Sequence, residues 1–301
     1  MKQLISTTQP SDPFSPERDD TSNLVLLEHV NLRQPDQQLA TQFYVVGLQF
    51  TRDPYLMVGL DNMWINIGRT QLHLPTDLSG AQRLPGCIGL VVPDLDTLQG
   101  SLQRARTGLA HTTFAFERHA DRIETTCPWG NRFCCHAPDP ARWGATQLGL
   151  IYLEIDVAAG SAPAIAEFYR TMLGAPADTL RDAQSRETAV VQIGTGQQLR
   201  FVEATGSIAP YDGHHIQVYL ADFSGPYRRL KERGLVTREV GAHEWRFIDI
   251  VDLATGKTLH RLEHEIRSLR HPLYGRPLVN RNAAQSNAAY TKGLDAFRGT
   301  F

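Results

Sequence analysis

A strand-like pattern recurs four times along this chain, and no other feature limits its possible folds as strongly. It reads HVNLRQPD (His29–Asp36), CIGLVVPD (Cys87–Asp94), LEIDV (Leu153–Val157) and HIQVYLAD (His215–Asp222). Each instance opens a segment of about fifty to sixty residues, a period that marks one supersecondary unit used repeatedly. Three of the four place an Asp seven residues after a His or Cys. The repeat therefore puts a side chain able to bind metal at an equivalent place in successive units.

Within each unit the order is strand, helix, then about three strands, so the shared module is βαβββ. The modules open near Leu24, Pro85, Leu148 and His214. The first and third match best: Phe43–Tyr44 lies fourteen residues after His29, and Phe168–Tyr169 lies fourteen after Glu154. Further on, INIGRTQLHL aligns with VQIGTGQQLRF, setting His73 against Arg200. The predicted fold is α+β: four βαβββ modules forming two tandem curved-sheet domains, residues 23–140 and 146–270. Residues 1–22, rich in Pro, Ser and Asp, read as a mobile leader, and residues 271–301 as a C-terminal arm.

The formal net charge of −2 gives no basic footprint for nucleic acid and no polybasic patch for a membrane. No apolar run reaches the ~18 residues a transmembrane helix needs, and the N-terminus lacks the apolar centre of a signal peptide. The four cysteines, Cys87, Cys127, Cys134 and Cys135, fall in one stretch rather than as long-range staples. A reduced cytoplasmic protein is the simplest reading. Cys134 and Cys135 are strand neighbours on opposite faces and are not expected to pair.

Strand alternation converts the repeat into a site expectation. Ile216, Val218 and Leu220 share one face of their strand, leaving His215, Gln217 and Tyr219 on the other; Val30 and Leu32 likewise oppose His29, Asn31 and Arg33. The apolar faces need helices to cover them, so the polar faces form the concave side where a ligand sits. By the same rule Gln71, His73, Cys134, His136 and Arg200 look inward, as do Glu263 and Glu265 unless a bulge reverses that strand. His29, His73, Cys87, Cys134 and His136 could together form a soft N/S metal site, or Cys87 and Cys134 could be small buried hydrophobes. In the strand-to-tail segment, His264, Arg267, His271 and Arg276 either close over the cavity mouth or form ordinary solvated ion pairs.

These residues resemble the vicinal oxygen chelate superfamily, which includes glyoxalase I, bleomycin-resistance proteins and extradiol dioxygenases. The resemblance covers about Leu24 to Ile266. It rests on H-V-x-L at His29, FY at Phe43, WGNRF at Trp129, FYRTMLG at Phe168 and HIQVYLADF at His215. Four fused modules look most like the extradiol and 4-hydroxyphenylpyruvate dioxygenase arrangement, which implies a divalent metal (Fe2+, Mn2+, Ni2+ or Zn2+) in the second domain. The matching ligand positions are Glu154, His215 and Glu263, with Glu265 competing for the last. The dioxygenase pattern has His at the first position, so Glu154 is a departure that moves the expectation toward glyoxalase-type chemistry, in which the metal acts as a Lewis acid. Tyr219 and Arg200 are the expected substrate-orienting catalytic residues, and Arg200 could instead pair with Glu154. The function implied is metal-dependent dioxygenase-like or lyase-like chemistry on a small oxygenated organic molecule. The rival is a metal-free binding protein of the same fold. Neither nucleic acid nor membrane is an expected partner, and self-association into a homo-oligomer is left open.

Overall fold

The computed structural model describes residues 20–56, 61–182 and 184–299. Residues 1–19 of the expected leader lie outside the described residues.

All four modules form. The first comprises β1 (Leu24–Asn31), α1 (Gln37–Ala40), a π-helical continuation over Thr41–Gly47, β2 (Thr51–Arg52), β3 (Asn62–Ile67) and β4 (Thr70–Pro75). The second comprises β5 (Gly86–Val91), α2 (Leu95–Ala105), β6 (Ala115–Arg118), β7 (Arg122–Thr126) and β8 (Arg132–His136), followed by the short α3 (Pro140–Trp143). The third comprises β9 (Gly149–Val157), α4 (Ala162–Phe168) with a π-helical end at Tyr169–Leu173, β10 (Ala177–Arg181), β11 (Glu187–Ile193) and β12 (Gln197–Glu203). The fourth comprises β13 (His215–Leu220), α5 (Ser224–Glu232), β14 (Val236–Val240), β15 (Glu244–Val251) and β16 (Thr258–Ser268). Among the described residues no helix is long and apolar enough to cross a membrane.

The recurring Asp has a structural explanation. Asp36 Oδ1 accepts the backbone N–H groups of Gln38 and Leu39, and Asp94 Oδ1 accepts that of Thr97. Asp222 Oδ1 accepts the N–H of Gly225 at the start of α5. Each satisfies amide donors that the first helical turn leaves unpaired, a contribution of about 1 kcal/mol per cap. The seven-residue spacing is thus the distance from the first strand's polar face to the helix start.

The strands assemble into two curved eight-stranded sheets, ordered β14-β15-β16-β13-β1-β4-β3-β2 and β10-β11-β12-β9-β5-β8-β7-β6. Each sheet joins two modules through one central antiparallel pair, β1 with β13 or β5 with β9. Strands therefore pair the first module with the fourth and the second with the third. The apolar faces pair differently. Phe43 of the first module packs on Phe114 and Phe133 of the second, and Phe168 of the third packs on Phe247 of the fourth. Tyr169 O–H and His264 Nε2 are 2.6 Å apart across that second contact. Helices and these aromatic contacts thus follow chain order, while each concave face is shared between the two halves of the chain. An active face made by the third and fourth modules alone does not form.

The seam between the second and third modules depends on Gly86. Its φ is +149°, and a Cβ there would stand 1.8 Å from the Glu154 carbonyl oxygen. That obstacle is the backbone of the partner strand and cannot rotate away. Gly86→Ala is expected to lose about 2–5 kcal/mol from overpacking and positive-φ strain together. Urea unfolding checks this, and a loss below about 0.5 kcal/mol, the size of an ordinary surface substitution, would overturn it.

Candidate functional site

The face shared by the first and fourth modules holds a cluster of titratable groups. Parallel pairing of β13 with β16 sets His215 beside Glu263, Gln217 beside Glu265 and Tyr219 beside Arg267. Antiparallel pairing of β1 with β13 sets His29 beside Gln217. Gln217 is therefore flanked by His29 on one side and Glu265 on the other, with His215 two residues along the same face. One ligand atom from each of His29, His215 and Glu265 lies within 4.8 Å of the other two.

A bulge in β1 shapes this cluster. Between Leu27 and His29 the chain advances two residues while β13 advances one, so Glu28 is an extra residue that turns toward the same interior. The Glu28 carboxylate accepts from Tyr219 O–H at 3.2 Å and lies 3.4 Å from both His29 Nδ1 and Arg267 Nη1. With Nδ1–H directed at Glu28, His29 Nε2 carries a bare lone pair, and that atom is buried without a partner. A carboxylate behind one ring nitrogen and a free lone pair on the other is the arrangement that orients a metal-ligating histidine. Burial holds His29 below the ordinary histidine range, so the imidazole is neutral and able to coordinate.

Glu265 is 3% exposed. Burial alone would raise its carboxyl, but His215 at 3.6 Å and the charges of Arg267 and Arg246 outweigh burial and hold it well below the usual carboxylate range. Its oxygens lie 2.5 Å from Arg267 Nη2 and 2.6 Å from Arg246 Nη2. Arg246 also pairs with Glu244 and Glu263, and Arg267 with Glu28 and Glu244. Four carboxylates thus face two guanidiniums, an excess of two acidic groups. This donor set and this charge excess fit a divalent cation.

The other inward groups are committed elsewhere or free for a ligand. His73 stacks on Trp64 at 3.8 Å and uses both ring nitrogens, one toward Asn31 and one toward Asn62. Burial and the neighbouring His29 and His215 push its pKa down to about 2. Gln217 is fully buried, and neither atom of its amide has a protein partner. From the C-terminal arm, Tyr274 packs edge-on to Tyr219 at 4.8 Å and Arg276 donates to Asp53 at 2.9 Å, so the arm covers one end of this face. Arg267 belongs to the strand network, whereas His264 lies on the opposite, core side, against Phe247.

The expected site residues are therefore divided between two faces. His215, Tyr219 and Glu263 stand on the first-and-fourth face, with Glu263 held by Arg246 and Glu265 next to His215. Glu154 and Arg200 stand on the second-and-third face and do not meet His215. Glu154 is 3.9 Å from Arg186 rather than paired with Arg200, and the Arg200 guanidinium lies over the Tyr152 ring at 4.0 Å. The expected soft-metal group divides as well: His29 and His73 on the first face, Cys87, Cys134 and His136 on the second. Sequence alternation had placed His29 inward, but its partners depend on a pairing between modules almost two hundred residues apart. Glu28 was missed because the bulge that turns it inward has no local signature.

No protein-family model matches this sequence, and no curated protein matches it. Solved structures do. A candidate dioxygenase from Bacillus subtilis superposes with a TM-score of 0.55 at 11% identity, covering 86% of this chain and 92% of its own. Glyoxalase I from Zea mays superposes with a TM-score of 0.58 at 13% identity, covering 81% of this chain and 92% of its own. The chain has the vicinal oxygen chelate fold.

Proposed function

We propose that this protein is a metal-dependent enzyme acting on a small oxygenated organic molecule, with His29, His215 and Glu265 as the metal ligands. The observation that carries this reading is the buried, unpartnered Nε2 of His29, within ligand distance of His215 and an ionised Glu265. Two histidines and one carboxylate with open positions form the set used by oxygen-activating Fe2+. That favours the dioxygenase-like version over the Lewis-acid version suggested by Glu154; Mn2+, Ni2+ and Zn2+ accept the same donors.

When bound, such an ion would polarise adjacent substrate oxygens. The protein supplies the rest. Glu28 and Tyr219 hold the His29 ring in the tautomer that leaves Nε2 bare. The Gln217 amide, with a free donor and a free acceptor, can hold a substrate oxygen between His29 and Glu265. Arg246 and Arg267 keep Glu265 ionised and fixed. Low exposure of His29 and Glu265 excludes water around the reacting groups.

One observation supports the rival reading of a metal-free binding protein: both Glu265 oxygens already meet a guanidinium. Metal analysis of protein purified without chelators separates the two. The expected result is a stoichiometric divalent ion whose affinity falls by roughly 100-fold or more, about 2.7 kcal/mol, in His29→Ala and in His215→Ala, and is unchanged in Glu154→Ala. Metal-free protein whose melting temperature ignores added Fe2+, Mn2+, Ni2+ and Zn2+ sinks the enzyme reading. Metal retained in His29→Ala but lost in Glu154→Ala returns the site to the other face.

A further inference from the structure

The second-and-third face carries a different chemistry. It opens into a cavity of about 880 Å³ whose lining includes Cys87, Cys134, Glu154, Arg132 and Arg186. Cys87 on β5 and Cys134 on β8 point to the same side of adjacent parallel strands, and their sulfurs are 2.9 Å apart. Both are free thiols; Cys87 is buried and Cys134 is half-buried. No role on the first-and-fourth face uses them.

The surroundings of Cys134 are built rather than incidental. Gly89 faces Cys134 across the strand pair, and a Cβ on it would stand 2.3 Å from the Tyr152 ring. The missing side chain lets that ring lie flat over the strand, with the Arg200 guanidinium on its face. The Tyr152 hydroxyl then sits 2.9 Å from His136 Nε2, beside Cys134. Cys134 accepts a hydrogen bond from the Cys87 S–H, which outweighs burial and sets its thiol below the ordinary range, while the same contact and burial push Cys87 up. The pair is asymmetric in access as well: Cys134 is half-buried on the cavity wall, whereas Cys87 is buried behind it.

We propose that Cys134 and Cys87 are a redox-active dithiol on the wall of this second cavity, with Cys134 attacking a hydroperoxide and Cys87 resolving the product to a disulfide. The Cys134 thiolate attacks the terminal oxygen, forming an S–O bond and breaking O–O. The alkoxide that leaves takes the Cys87 proton and departs as an alcohol, and Cys134 becomes a sulfenic acid. The Cys87 thiolate then attacks the Cys134 sulfur; the S–S bond forms and hydroxide leaves, protonated by solvent to water. Two thiol sulfurs are oxidised and one hydroperoxide is reduced. An external low-molecular-weight thiol reverses the state by exchange. The sulfurs are already 2.9 Å apart, so the bond closes over a short approach. Cys127 and Cys135 are buried away from this face and serve as internal controls.

The test treats the full-length protein with stoichiometric hydrogen peroxide and maps free thiols by alkylation and peptide mass spectrometry. The expected result is loss of Cys87 and Cys134 labelling together, a mass lower by about 2 Da for the two hydrogens removed, retained labelling of Cys127 and Cys135 after unfolding, and full recovery with a thiol reductant. Cys87→Ser should trap Cys134 as a sulfenic acid captured by dimedone, and Cys134→Ser should slow peroxide consumption by at least about tenfold while the circular dichroism spectrum is unchanged. Cys87 and Cys134 still alkylatable after treatment, or a peroxide rate equal to that of free cysteine and unaltered in Cys134→Ser, overturns the proposal.

Discussion

Arg267→Met lowers the unfolding free energy by about 3–5 kcal/mol, the range for removing one partner of a buried ion pair. For a chain of this size that is a fall in melting temperature of roughly 10 °C. Arg267 is 8% exposed and meets Glu28, Glu244 and Glu265. Without it, Arg246 is the guanidinium left facing the group, and it does not contact Glu28. Three carboxylates less than a tenth exposed, Glu28, Glu244 and Glu265, then lose a counter-charge that water cannot replace. Arg246→Met should cost less, because its side chain is 18% exposed and solvent screens part of the loss. Arg33→Met, which breaks the outward Arg33–Asp77 pair, is the surface reference and should cost under about 1 kcal/mol. Urea unfolding of the three variants orders them, and an Arg267 effect no larger than that of Arg33 refutes the network.

The second large effect is loss of stability in mild acid. Burial lowers His264 to about 3 and, as the largest cause in each, holds His260 and His136 at about 4. His264 has no room for a second proton. It lies stacked on Phe247 at 4.2 Å, with Nδ1 2.7 Å from the Leu262 carbonyl and Nε2 facing the Tyr169 hydroxyl. All three are neutral in the folded protein, whereas in the unfolded chain they protonate below about 6.5. Above that pH both states are neutral and nothing is lost. Between about 6.5 and 4 the unfolded state binds more protons, so stability falls as pH falls. Each histidine contributes a limiting slope of about 1.4 kcal/mol per pH unit, and these three with His73, held at about 2, together about 5.5. Glu265, held low in the fold, adds loss in the same direction once the pH drops below the ordinary carboxylate range. Urea midpoints at pH 7, 6 and 5 measure the slope, and His264→Phe should flatten it by about 1.4 kcal/mol per pH unit, its own share. Equal midpoints at pH 7 and 5 would falsify the account.

Much of this molecule is legible in its sequence because its modules are made by local rules. Alternation put Val30, Ile155 and Ile216 in the core and His29, His215 and Gln217 on the polar face, and the buried residues agree. The recurring Asp announced the start of a helix, although it first reads as a companion to a ligand. Choosing between Glu263 and Glu265 lay beyond periodicity: both share a face of β16, and only the position of Arg246 and His215 separates a surface-leaning carboxylate from a buried one.

Local chemistry by itself determined the module, its helix caps and the side of each strand that faces a ligand, since these depend on neighbours a few residues apart. The tertiary structure alone decided which modules share a sheet. Helix packing joins consecutive modules, but strand pairing at the β1–β13 and β5–β9 seams joins the first to the fourth and the second to the third. Backbone edges of similar hydrogen-bonding capacity are available on every module, so the choice is made by long-range fit: the bulge at Glu28 on one seam, the side-chain-free approach of Gly86 on the other. That choice brings His29 rather than Glu154 to His215, and leaves Glu154 beside a pair of thiols.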